Sequence, residues 1–253
     1  STVSCTALDP SGKLLAVATQ NTLTIYNLGD LTVVFSVNLE KKIYNMNYFS
    51  TNLVTSTERN IVSYSNNGQL LYNQTLGDST TTRAIIRKIN DITALILLDR
   101  EGNERLIQFN VNTKEVISSY DIGHEAHDID VSANGKYIGI NGKLGKNYML
   151  ELLLLNDYSK YYIYNSPQLY SINSLNFSHD SRYVAIANNS NDDHVHIIDV
   201  ERKMPLGSVH LDVIQNIYHS IDGIDAVQFD RKSNSLFVSA VETMVNYQLQ
   251  CIY

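Results

Sequence analysis

The feature that most constrains this chain is a repeat. Six times, a strand closing on an apolar residue is followed by a short polar turn and a second strand. In the first unit residues 6–8 precede the turn 9–13 and the strand 14–18. The second runs 46–49, 50–52, 53–55, and the third 85–89 and 92–98 across a shorter turn. The last three run 129–131, 132–136, 137–140; 175–177, 178–182, 183–187; and 227–229, 230–234, 235–238. The closing apolar residues are Leu8, Phe49, Ile89, Val131, Phe177 and Phe229, spaced by 41, 40, 42, 46 and 52 residues. A second ruler is the end of the third strand in each unit. Its markers Tyr26, Tyr64, Phe109, Leu155, Ile198 and Tyr247 are spaced by 38, 45, 46, 43 and 49 residues. Long amphipathic segments with capping residues are absent.

Two independent rulers of the same length predict an all-β fold, a β-propeller of about six four-stranded blades, or seven if the chain is a fragment. The expectation is one domain over 1–253 with approximate blades 1–39, 40–78, 79–122, 123–166, 167–221 and 222–253. The last of these lacks its outer strand. Each blade of a propeller is a small antiparallel sheet covered on both faces by its neighbours, so its middle strands are apolar on both sides. Residues 14–18, 92–98 and 183–187 read this way, whereas 31–37, 70–75 and 161–164 alternate as outer strands do.

Composition narrows the function classes. With 43% hydrophobic and 18% charged residues, the chain is too apolar and too weakly charged for disorder. A net charge of -7 and a pI near 5.4 argue against a general nucleic-acid or anionic-membrane surface, both of which need a basic footprint. No stretch reaches the ~18 apolar residues of a spanning helix. Two cysteines, Cys5 and Cys251, make no disulfide framework. Closure of a ring brings them together, and both a bridge and two buried thiols stay open.

Two stretches carry a family resemblance. Gly123-His124 followed by 129–137 resembles the Gly-His, strand and polar turn of WD repeats. The fifth unit, 177–188 followed by 194–200, is similar both to WD repeats and to YVTN-type propellers. Trp is absent, and Ile198-Asp199 alone keeps the Asp of the Trp-Asp pair. The resemblance implies a propeller over essentially the whole chain. It also implies that His124 makes a structural hydrogen bond within its blade.

The residues best suited to a metal are His124, Glu125, His127, Asp128 and Asp130, and the pair His194 and His196 behind Asp192-Asp193. Imidazole and carboxylate suit zinc or manganese. A polar strand entrance accounts for both groups, and a metal needs further ligands that sequence does not place. The expectation is therefore no bound metal, no cofactor and no catalytic residue. The Gly- and Lys-rich stretch 139–146 lacks phosphate-loop spacing and reads as a hairpin between the second and third strands of the fourth blade.

The functional expectation is a non-catalytic scaffold of the WD-repeat kind, binding protein partners on its loop face or a blade edge. An acidic surface favours basic partners. The incomplete last blade offers an open strand edge as a second docking position. Direct nucleic-acid binding and membrane insertion are not expected. Two other readings stay open, an enzyme or ligand binder with a site in the central channel and a YVTN-like cell-surface or periplasmic domain.

Overall fold

A computed structural model describes residues 3–50, 52–100, 104–165, 169, 172–188, 194–210, 224–232, 235–240 and 243–248. Among these residues the chain is all strand, in five four-stranded antiparallel sheets and one three-stranded sheet, each strand bonded to the next in sequence. Six such meanders, one per repeat unit, make the fold a β-propeller. The chain divides into two compact units, Ser1–Gly123 and His124–Tyr253.

The first unit holds three blades. They are β1 (Val3–Leu8), β2 (Leu14–Thr19), β3 (Thr22–Asn27) and β4 (Val33–Asn38); β5 (Asn45–Phe49), β6 (Asn52–Ser56), β7 (Asn60–Ser65) and β8 (Leu70–Thr75); and β9 (Thr81–Lys88), β10 (Thr93–Arg100), β11 (Arg105–Asn110) and β12 (Glu115–Asp121). First strands lie side by side, β1 against β5 and β5 against β9. One core cluster joins Ala16, Leu23 and Ile25 of the first blade to Met46, Tyr48 and Leu53 of the second. Another joins Phe49, Val54 and Ile61 to Ile86, Ile96 and Phe109. Residues 93–98 of β10 are buried without alternation, as a strand covered on both faces must be.

The second unit repeats the plan. Its blades are β13 (Glu125–Val131), β14 (Tyr137–Leu144), β15 (Asn147–Leu154) and β16 (Lys160–Asn165); β17 (Ile172–Phe177), β18 (Tyr183–Asn188), β19 (His194–Asp199) and β20 (Met204–His210); and β21 (Ile224–Phe229), β22 (Ser235–Ala240) and β23 (Thr243–Gln248). Leu150 and Leu152 pack with Leu175, Phe177 and Ile198, while Ala185 and Ile197 pack with Val227, Phe229 and Leu236. Gly139 makes room for this, since a Cβ there meets Leu175 at 2.9 Å and Phe177 at 3.1 Å. Residues 139–146 form the expected hairpin, with β14 and β15 in register out to Leu144 and Asn147.

Turn chemistry explains why the chain reverses where it does. The Asp9 carboxylate accepts from the backbone of Ser11, Lys13 and Leu14 and from the Ser11 hydroxyl at 2.6–3.1 Å. Burial pushes its pKa up, but these bonds together hold it below the usual carboxylate range. In the fourth and fifth blades a serine takes over. Ser132 Oγ accepts from the Tyr137 amide at 2.9 Å, and Ser178 Oγ from the Tyr183 amide at 2.8 Å. Between third and fourth strands a residue with positive φ recurs in five blades, at Leu31, Gly68, Lys114, Tyr158 and Lys203. Only at the second is it glycine, and there a Cβ would overlap the Phe35 ring.

The fourth strands begin with a bulge in every one of those five blades. Register slips between Ile25/Tyr26, Ser63/Tyr64, Gln108/Phe109, Leu152/Leu153 and Ile197/Ile198. Such bulges break up the flat edge that would otherwise recruit a foreign strand. A few expected details shift. Leu31 belongs to the turn rather than to the outer strand, Ile92 lies outside β10 and is exposed, and Tyr183 is half-buried under Arg182.

Candidate functional site

The entrance to the fourth blade carries the expected His/Asp cluster, and the structure separates its members. His124 sits just before β13 with its side chain 3% exposed. Its Nε2 lies 2.9 Å from Glu151 Oε2, on β15, and its Nδ1 lies 2.9 Å from the Glu125 carbonyl oxygen. A carbonyl only accepts, so Nδ1 donates; Nε2 then donates to the carboxylate only if the ring carries both protons. Burial pulls the imidazole pKa down, but the bonds to Glu151 and Glu125 outweigh it and the net shift is upward. Burial likewise pushes Glu151 up, and His124 and Lys160 outweigh it downward. Lys160 Nζ completes the network at 2.9 Å from Glu151 Oε1. An enclosed imidazole with Nδ1 donating to a carbonyl and Nε2 against a carboxylate has no nitrogen free for a metal or a substrate. Gly142 permits the arrangement, because a Cβ there would stand 2.0 Å from the Glu125 carbonyl oxygen and 3.1 Å from His124 Nδ1.

The other candidates point elsewhere. Asp128 is buried, its Oδ1 accepting from the Ile129 amide at 2.9 Å and its own amide bonded to Asn141 Oδ1 at 2.6 Å. Asn141 reaches on to the Ile172 carbonyl of the next blade. Asp130 Oδ2 accepts from the Phe177 amide at 2.9 Å and from Asn176 Nδ2 at 3.1 Å, and Asn176 Oδ1 in turn accepts from the Phe229 amide at 2.9 Å. These polar side chains latch first strand to first strand through the second unit. In the first unit Ser56 of β6 donates to the Ala84 carbonyl of the next blade's first strand at 2.8 Å, with the Asn45 carbonyl 3.3 Å away. His196 is buried against Tyr164, whose hydroxyl lies 3.2 Å from Nδ1. The side chain of His194 lies outside the described residues, as does Cys251. Cys5 packs toward the Ile43 carbonyl, and burial pushes its thiol up to about 11. Among the described residues no three His, Cys, Asp or Glu converge as a metal-holding group.

His127 is different. It is the extra residue of a bulge in β13, where pairing skips from Ala126 to Asp128. The same slip recurs at the same place on the next two first strands, between Ile172 and Ser174 and between Ile224 and Ala226. His127, Asn173 and Asp225 therefore occupy one register position on three consecutive blades, and Ser4 of β1, where pairing skips from Val3 to Cys5, holds the same position in the first blade. The His127 ring lies 6.3 Å from that of Tyr148, over which Lys143 sits 5.3 Å from the ring centroid. Bulges re-aim side chains and concentrate beside functional sites. Sequence reading missed this row, because a bulge is a property of two strands together; the weak signal was a polar residue at each position.

A hollow of about 380 Å³ lies in the first unit between the first two blades, lined in part by Asn38, Glu40, Lys41, Thr55, Asn60 and Tyr64. Among the described residues no helix is long and apolar enough to cross a membrane.

No protein-family model and no curated protein matches this chain. Solved structures do. Hydrazine synthase of Kuenenia stuttgartiensis superposes with a TM-score of 0.80 at 10% identity, over 98% of this chain and 83% of that one. The β-propeller domain of Cps50 (Swd1) from Myceliophteria thermophila gives 0.80 at 13% identity, over 98% and 84%. At such identities the likeness shows the propeller fold alone.

Proposed function

We propose that this chain is a non-catalytic interaction scaffold of WD-repeat-like design that binds protein partners through the loop end of its first strands. The observation that supports it best is the row of bulges at His127, Asn173 and Asp225. Three blades in succession depart from regular pairing at one backbone position, and a bulge held in a rigid frame is a place where a partner can be met. The ionisable groups in the blade interior serve the frame itself: Glu151 and His124 each satisfy the other.

A second docking position is the edge of β23. That strand pairs with β22 without any slip, and among the described residues no strand pairs with its other side. The counterpart third strands each carry a bulged fourth strand. A straight edge suits strand addition by a partner peptide.

The test is affinity capture with the natural chain and with a variant carrying His127→Ala, Asn173→Ala and Asp225→Ala. The proposal expects a partner held stoichiometrically by the natural chain and lost by the variant at unchanged melting temperature. An identical set of bound proteins would contradict it. The hollow between the first two blades favours a second reading, a small polar ligand, which calorimetric screening against sugars and nucleosides would reveal.

A further inference from the structure

The surface of this acidic chain is not acidic everywhere. In the second unit, the turn before β14, the turn before β18 and the turn after β19 bring together Lys136, Arg182, Arg202 and Lys203, all exposed. The turns are tied to each other: the Asn134 amide donates to Ser181 Oγ at 2.9 Å, and Ser181 is itself buried with a φ of 63°.

The four cations lie against a buried carboxylate or aromatic rings, with the exposed Glu201 also acting on Lys136. Arg182 and Arg202 approach one buried carboxylate, their Nε atoms 3.6 and 3.9 Å from Asp199 Oδ2, at ion-pair rather than hydrogen-bond distance. Their side chains are nonetheless 45% and 64% exposed, so neither guanidinium is enclosed by the pairing. Arg182 also lies 4.9 Å from the Tyr183 ring centroid. Lys203 stands over Tyr161 at 4.0 Å, Tyr161 stacks on Tyr137 at 4.8 Å, and Lys136 lies over Tyr137 at 4.9 Å. The result is a run of contacts, lysine, tyrosine, tyrosine and lysine, with the two rings tilted by 45°, beside two arginines that share one carboxylate. Glu201 and Asp180 are the exposed acids on the same turns, two against four cations.

We infer that these turns of the fourth and fifth blades form a docking surface for an acidic polypeptide segment. A guanidinium whose hydrogen bonds the Asp199 carboxylate leaves open keeps its donors as a fork that fits an incoming carboxylate in two places. Lysines already ordered on aromatic faces lose less freedom when an anion arrives. The net charge of -7 selects among anions. A long polyanion such as nucleic acid, or an anionic membrane, meets the acidic remainder of the molecule, whereas a short acidic segment interacts within about a Debye length, ~8–10 Å. The inference rests on the scaffold reading in that the occupant is a polypeptide, but it uses none of the first-strand residues.

The experiment is fluorescence anisotropy with a fluorescein-labelled peptide of alternating Glu and Ser, a Lys and Ser counterpart, a single-stranded oligonucleotide and phosphatidylserine vesicles. The variant is Lys136→Glu with Lys203→Glu, which leaves the pairing of Asp199 intact; melting temperature confirms that it folds, and Arg202→Gln supplies a second, separate loss of charge. The surface predicts saturable binding of the Glu peptide, weakened by salt and by about tenfold or more in the double variant. It predicts a smaller loss with Arg202→Gln and no binding of the Lys peptide. Absence of Glu-peptide binding, or binding that the double variant leaves unchanged, overturns the inference. Tighter binding of oligonucleotide or vesicles, lost in the same variant, overturns the choice of a polypeptide. None of these results alters whether a partner is captured through His127, so the two readings fail separately.

Discussion

The interior of the fourth blade turns on the buried carboxylate of Glu151, held by His124 inside and Lys160 at the surface. His124 and Glu151 are buried together at 2.9 Å; removing Glu151 strands the imidazolium, at a cost of about 3–5 kcal/mol, whereas removing His124 leaves Glu151 with Lys160 and costs less. The pH dependence has two limbs. The upward shift of His124 means that its contribution is fully present below its ordinary value of 6.5 and is lost as pH rises through the folded-state value above it. The downward shift of Glu151 means that its contribution is fully present above 4.5 and is lost as pH falls through a lower value. The stability gap between the natural chain and His124→Gln, measured by urea unfolding, is therefore greatest between those limbs and narrows toward alkaline pH; a gap that widened there would contradict a protonated His124. Gly142→Ala should cost about 1–3 kcal/mol, because the added methyl meets backbone rather than a side chain that can swing away. Phe177→Ala, at a side chain packed across two blades, should cost ~3–5 kcal/mol by the same measurement, and a loss within about half a kcal/mol would show that it is not a core residue.

At the scale of strands, local signals read well and relational ones did not. The closing residues Leu8, Phe49, Val131, Phe177 and Phe229 end their strands in the structure, because the Asx and serine turns that follow depend on a few consecutive residues. Ile89 and Leu155 fall one place beyond their strands. Leu31 was misplaced because an exposed leucine in a left-handed turn contradicts its own propensity. Neither family of bulges was legible, since each depends on which residue lies opposite. Nor was the partner of His124, a lone Glu151 that precedes the apolar run 152–155 and lies 27 positions away. At this scale the straight edge of β23 yields a prediction: light scattering on the isolated chain should show association that grows with concentration. A monomer at every concentration would remove that edge as a docking position.

For the molecule as a whole, six meanders built on one repeat account for the propeller fold, and the physical reason is that no blade buries its faces alone. Far-ultraviolet circular dichroism should accordingly show less than about a tenth helix, against roughly a third in an average domain. The central claim, however, concerns what the frame presents. Hydrogen exchange measured on the chain alone and with its captured partner tests it directly. Slower exchange in the partner's presence at 126–128, 172–174 and 224–226 is the predicted result. Exchange unchanged at all three bulges, with protection confined to other segments, would contradict a scaffold that works through the ends of its first strands.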